Sequence, residues 1–484
     1  MVSANKTIHI EPVTRVEGHG KVSIQLDENN QVTQARLHIV EFRGFERFIQ
    51  GRPYWEVPVL VQRLCGICPV SHHLAAAKAM DLIHGVDELS PTAEKMRRLM
   101  HFGQHFQSHA LHFFHLCSPD LLFGFDADVA IRNVIGVARK FPDLAVQGVM
   151  MRKYGQEVIK RTAGKKIHGT GAIPGGINKN LSIEERDELL NGFGDMPGIE
   201  QMLEWSRGAL KIAKDYTLEN LETVAGFGSF DSNHMGFVKE DGAMDLYHGN
   251  LRAVDKDGNK IFDQVDYQKY TDYIQEEVRS WSYMKFPFIK ELGPENGWYR
   301  VGPLARINVC DSIDTPEADA ALKEFREATG TAVCNITMAY HWTRMIELLH
   351  ACEKIKQLLE DPDLQGQELL RSGERRGEAV GLIEAPRGTL FHHYEVDEND
   401  QVTMANLIVS TTHNNVPMNR AVQKVAADHI SGKAEITEGL LNHVEVAIRA
   451  YDPCLSCATH ALGKMPLDVQ LLDADGKVVD QKST

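Results

Sequence analysis

Two Cys-x-x-Cys pairs stand near opposite ends of this 484-residue chain. RLCGICPVSHH holds Cys65 and Cys68, and DPCLSCATH holds Cys454 and Cys457. Four thiols paired in this way suit a tetrahedral soft-metal site. A zinc ribbon sets its two pairs about 15–20 residues apart, whereas 386 positions separate Cys68 from Cys454. A local zinc staple is therefore excluded, and a site joining the pairs has to lie in the middle of the fold. Thiolates favour nickel, iron and copper(I) as well as zinc. Their negative charge has to be balanced by metal and by nearby cations. Arg63, His72, Asp452 and His460 flank the pairs.

The remaining cysteines, Cys117, Cys310, Cys334 and Cys352, are isolated. They are too sparse for a disulfide framework and read as small buried hydrophobes. A hydrophobic content of 43% with 25% charged residues is that of a soluble globular protein. No run reaches the length of apolar residues that a membrane helix needs. A net charge of −15 argues against a nucleic-acid partner. The opening MVSANKTIHIEP shows neither an apolar leader core nor a twin arginine, so a cytoplasmic location is expected.

Four segments alternate around turn-forming clusters: 21–42, 251–265, 392–409 and 467–480. Each predicts a hairpin. Long helical stretches lie between them. One opens with Ser90 as N-cap and Pro91 at the first helical position. Another, from Asn133, is expected to break near Pro142, and a third amphipathic run spans Ile336 to Asp361. These patterns predict a helix-dominated α+β fold, with a long-helix core and small hairpins at its edges. His101, His105, His109 and His112 share one helical face. Such a stripe offers ligands or a proton path, but it more often packs and hydrogen-bonds between helices. GTGAIPGG imitates a dinucleotide fingerprint only loosely, because Pro174 interrupts it and no βαβ context surrounds it. No NAD is expected on this chain.

The two cysteine motifs resemble the signatures of the large subunit of NiFe hydrogenases. Further matching stretches run along nearly the whole chain: PVTRVEGHG, RGFE, SHALHFFHL, IHGTGAIPGG, VGPLAR and EAPRGTL. The likeness is to the soluble, cytoplasmic, NAD-reducing type. It implies heterolytic, reversible cleavage of dihydrogen, with Cys68 and Cys457 bridging nickel and iron and Cys65 and Cys454 on nickel alone. It implies carbon monoxide and cyanide on the iron, with Arg387 above the metals and Asp120 orienting that arginine. Thr411 and Thr412 would hold the cyanides, although Ser410 stands where many relatives have proline. His72 would hydrogen-bond to a bridging sulfur. Cys454 would take the proton and Glu17 pass it on, whereas Glu17 taken alone reads as a carboxylate capping a turn near Gly18. Glu46 and His460 would hold a second ion, magnesium or iron.

The resemblance also implies partners: a small subunit with iron–sulfur clusters, an NAD-reducing diaphorase module, nickel-insertion proteins and a maturation endopeptidase. Residues 1–460 would form a single catalytic domain, and the 461–484 extension would be removed after nickel insertion. The bland reading of that extension is an ordinary terminal hairpin. Rival functions keep the chemistry with a deazaflavin or heterodisulfide-linked acceptor. A non-catalytic subunit of the same fold is another alternative, but such relatives lack the four cysteines. The last is a zinc-stapled binding protein.

Overall fold

The computed structural model describes residues 6–459, 468–472 and 478–483. The chain opens with an antiparallel sheet of β1 (Lys6–Ile10), β2 (Gly20–Leu26) and β3 (Val32–Ile39). The edge of β3 is closed by side chains of a later helix. Leu37 N donates to Asn419 Oδ1 at 2.8 Å, and Ala35 N donates to Gln423 Oε1 at 2.5 Å. A sheet edge satisfied in this way cannot pair with another strand.

The β2–β3 turn shows why the hairpins form. Asp27 Oδ1 accepts from Asn29 N and Gln31 N, both at 2.8 Å, while Asn30 sits in the left-handed region at φ 58°. This carboxylate-capped turn recurs where Asp255 joins β5 (Asn250–Val254) to β6 (Lys260–Val265). It recurs again where Asp397 joins β8 (Gly388–Val396) to β9 (Val402–Ile408). β5 also pairs with β4 (Asn233–Val238) in a mixed sheet. The fourth hairpin pairs β10 (Asp468–Leu472) with β11 (Val478–Ser483), its turn residues lying outside the described ones. One hairpin lies deeper than the expected edge. β7 (Glu378–Ala385) and β8 are buried along almost their whole length, packed on the first long helix.

That helix, α1 (Pro69–Ile83), starts at Cys68. The Ser90 hydroxyl caps α2 (Pro91–Leu111), accepting from Ala93 N at 3.2 Å. The turn after α2 is wound as a π-helix, His112–Cys117. Pro142 begins α3 (Pro142–Ala163), and a separate short helix ends at Lys140, as the break predicts. α4 (Ile199–Glu219) and α5 (Tyr340–Leu359) complete the bundle with α2 and α3. α5 is expected to be amphipathic, yet neighbours surround it and its polar groups turn inward. Arg344, Glu347 and His350 are all buried. α6 (Asn415–Ile430) and α7 (Glu438–Ala450) then lead to the second cysteine pair.

Candidate metal centre

Five separate stretches meet at one point: the β1–β2 loop, the start of α1, the β7–β8 turn, residues 410–413 and the turn after α7. They bring the four distant thiols together. Cys65 Sγ lies 3.4 Å from Cys454 Sγ, and Cys68 Sγ lies 3.5 Å from Cys457 Sγ. Cys454 Sγ and Cys457 Sγ are 2.7 Å apart. All four sulfurs fall within 4.8 Å of one another and are buried. No disulfide joins these four cysteines, and the cluster is a set of soft donors.

Local geometry fixes each sulfur. Ile67 N and Cys68 N donate to Cys65 Sγ at 3.2 and 3.3 Å, which favours its thiolate. The neighbouring sulfurs pull the Cys65 thiol well down, whereas burial pushes Cys454 and Cys457 well up. Thiols in this state part with all their protons only against a cation. Thr411 Oγ1 accepts from Cys454 N at 2.9 Å.

Glu17 approaches from the N-terminal sheet. Cys454 Sγ donates to Glu17 Oε2 at 3.0 Å, Ser456 N donates to the same oxygen at 3.0 Å, and Leu455 N donates to Glu17 O. Gly18 makes this approach possible. Its φ is +84°, and a Cβ there would lie 2.7 Å from Ser456 N.

Arg387 lines the same small pocket as Cys68, His72, Thr411, Cys454 and Cys457. Its Nη2 donates to Asp452 Oδ1 at 3.2 Å. Its Nε and Nη1, and the Oγ1 of Thr412, are buried without a partner among the described residues. Burial opposes the guanidinium charge, but Asp452 and the three sulfurs of Cys68, Cys454 and Cys65 outweigh it and hold Arg387 protonated. Four soft donors beside unspent hydrogen-bond donors fit a metal centre that carries acceptor ligands.

The expected pairing of Asp120 with Arg387 is not what forms. Asp120 accepts from Arg15 at 2.6 Å, from Arg449 at 3.0 Å and from Asn442 at 3.2 Å. It follows the π-helical turn at the far end of α2, where those cations reach it first. The carboxylate on Arg387 is Asp452, which the sequence places beside the second cysteine pair, two positions before Cys454, without assigning it to Arg387. Burial raises the Asp452 pKa while Arg387 and Arg344 oppose that rise.

The other expected residues fall as follows. His72 Nδ1 meets His392 Nε2 at 3.1 Å. Glu46 is buried, and its Oε1 accepts from Leu407 N at 2.9 Å with Lys285 Nζ at 3.5 Å. His460 lies outside the described residues. Each histidine of the stripe, which runs from α2 into the π-helical turn, spends its Nε2 on protein, while its Nδ1 is buried without a partner among the described residues. The Nε2 atoms of His101, His105 and His112 face the carbonyls of Leu246, Glu384 and Arg449 at 2.7–2.9 Å, and His109 faces Glu347 at 3.0 Å. This supports the packing role.

Comparison with known proteins agrees with this geometry. The family described as nickel-dependent hydrogenase matches residues 43–135 and 193–460, and a HoxL-like family matches residues 7–42. The chain is 50% identical to NAD-reducing hydrogenase HoxS subunit beta of Cupriavidus necator, over 99% of this chain and all of the relative. It is 44% identical to an F420-non-reducing hydrogenase chain of Methanothermobacter thermautotrophicus, covering 97% of this chain and 98% of the relative. A crystal structure of an NAD+-reducing [NiFe]-hydrogenase in the H2-reduced state superposes with a TM-score of 0.91 at 54% identity, covering 94% of this chain and 99% of that one. The NiFeSe hydrogenase of D. vulgaris Hildenborough shares the fold alone, at a TM-score of 0.75 and 22% identity, over 94% of this chain and all of the other. Distant thiol pairs closing on one buried cluster, within a chain matched almost end to end, place this protein among the nickel-dependent hydrogenases as a large subunit of the NiFe type.

Proposed function

We propose that this chain is the hydrogen-cleaving subunit of an NAD-reducing hydrogenase. The observation that carries the reading is the buried cluster of four sulfurs with Glu17 at 3.0 Å from one of them. Cys65 and Cys454 would bind nickel alone, and Cys68 and Cys457 would bridge nickel to iron. Arg387, with two unspent donor atoms, and Thr411 and Thr412 would face carbon monoxide and cyanide on the iron. When bound, the metal pair supplies heterolysis of dihydrogen and takes up its electrons. Cys454 Sγ accepts the proton and hands it to Glu17 Oε2 along the contact already present. Arg387 stays a fixed cation over the cleft because Asp452 anchors one end of its fork.

Glu46 would hold a magnesium or iron(II) ion with His460, supported by the burial of its carboxylate. Electrons would leave through a small subunit bearing iron–sulfur clusters and a diaphorase that binds NAD, in the cytoplasm. Identity to the HoxS protein supports NAD over a deazaflavin or heterodisulfide-linked acceptor. Nickel-insertion proteins and an endopeptidase cutting after His460 would complete maturation by removing the 24 residues that follow it.

Infrared spectra of the purified complex, with nickel and iron quantified, test the centre. Bands of bound carbon monoxide and cyanide are expected, and their absence from a nickel-loaded sample would refute it. Hydrogen-dependent reduction of NAD against other acceptors tests the electron route. Active protein whose intact mass still reaches Thr484 would refute the cleavage.

A further inference from the structure

A groove of about 540 Å³ lies between β3, the segment 279–298 and α6. Three guanidiniums converge on it, each laid over an aromatic ring. Arg36 covers Trp281 at 4.9 Å, Arg279 covers Phe286 at 4.6 Å and Arg420 covers Trp298 at 4.2 Å. Stacking fixes the plane of each guanidinium and leaves its N–H edges available. Arg279 pairs with Glu277 at 2.5 Å. Arg36 and Arg420 make no ion pair with an acid among the described residues. Lys424 and Glu295 also line the groove, and Lys424 is held by Asp428 at 2.8 Å.

The groove is thus lined by Arg36, Arg279, Arg420 and Lys424 against the acids Glu295 and Asp428, an excess of positive charge on a chain of net charge −15. The cations also oppose one another. Burial, then the charge of Arg279, lowers the pKa of Arg36. Burial does the same for Arg420, with Arg279 adding to it and Glu295 opposing. A fork of N–H donors with no acid on it matches a carboxylate in shape and charge. Tryptophan and arginine are also the residues that dominate the centres of protein interfaces. The ring faces are already occupied: Arg36 covers Trp281, and His38 and Phe286 meet it edge-on.

We infer that this groove docks an acidic segment of a partner polypeptide, whose carboxylates take the forks of Arg36 and Arg420. The inference rests on the reading that the chain works inside a heteromeric assembly, and it is independent of the metal chemistry.

Holoenzyme purified through a tag on this chain tests it, as wild type, as Arg36→Glu/Arg420→Glu and as Arg36→Lys/Arg420→Lys. Native mass spectrometry over an ionic-strength series reads which subunits remain. The Glu variant should lose one of its subunits at an ionic strength roughly threefold below that of wild type. The Lys variant should fall between them, with equal nickel content in all three. Identical salt profiles for wild type and the Glu variant overturn the docking. So does iodide quenching of Trp281 and Trp298 in intact holoenzyme, measured against Trp281→Phe/Trp298→Phe, because it requires an open groove. Saturable binding of inorganic pyrophosphate that needs Arg36 assigns the groove to a small oxyanion and overturns it equally. Purification of the chain with no other subunit sinks the heteromeric reading as well, whereas retained subunits with unchanged salt profiles sink the docking alone.

Discussion

The Glu17 carboxylate and the Cys454 sulfur meet at 3.0 Å across 437 positions of sequence. The same carboxylate oxygen takes the Ser456 amide, and the backbone of Glu17 pairs with that of Cys454 as a β-bridge. The N-terminal sheet therefore positions a proton acceptor and the second cysteine pair as one unit.

Glu17→Gln keeps an oxygen for the Ser456 amide and removes the proton acceptor. Exchange of deuterium gas with water protons should fall by about 10²-fold or more, with nickel and iron content unchanged. Near-normal exchange would show that the proton leaves Cys454 by another route.

Gly18→Ala places a Cβ 2.7 Å from Ser456 N at a φ of +84°. Backbone strain at such a position costs about 1–3 kcal/mol, and the clash falls on Leu455 and Ser456, the two residues between Cys454 and Cys457. Nickel bound per chain should drop below that of wild type expressed in parallel. Full occupancy would mean that the turn absorbs the methyl.

Arg306 holds the turn that carries Arg387. It donates to Glu347 at 2.6 and 2.7 Å, to Glu384 at 2.7 Å and to Ala385 O at 2.9 Å, all without exposure to water. Arg306→Met strands two buried carboxylates, a loss of about 3–5 kcal/mol. The denaturant midpoint reads it, and Arg306→Met/Glu347→Gln should recover part of the loss.

Burial lowers the pKa of His101 from 6.5 to about 3 and that of His109 from 6.5 to about 4, against the pull of their acceptors. The unfolded chain then binds more protons than the folded one below pH 6.5. Each histidine therefore costs nothing above pH 6.5 and withdraws stability as pH falls from there towards about 4. At about 1.4 kcal/mol per unit, the loss reaches roughly 3 kcal/mol for each. The stability gap between wild type and His109→Gln, followed from pH 7.5 to about 4 by thermal unfolding, should narrow on acidification. A gap independent of pH would mean that His109 takes its proton at the same pH in the folded and unfolded protein.

Three of the hairpins were legible because their determinants are local: Asp27, Asp255 and Asp397 each cap a turn through backbone amides two and four residues on. Ser90, Pro91 and Pro142 marked helix boundaries for the same reason. The burial of α5 on nearly every side was not legible, because its charged residues are neutralised by partners from other elements. Glu347, for example, is neutralised by Arg306.

From the sequence alone came the chemistry of the donors, four thiols at paired spacing, and the requirement that a site joining them be central. Which carboxylate serves Arg387 was decided only by the tertiary structure. Asp120 and Asp452 are both buried acids, and side-chain type does not distinguish them. A guanidinium is claimed by the carboxylate within hydrogen-bond reach, and reach depends on how the β7–β8 turn packs against the turn after α7, 65 positions further on.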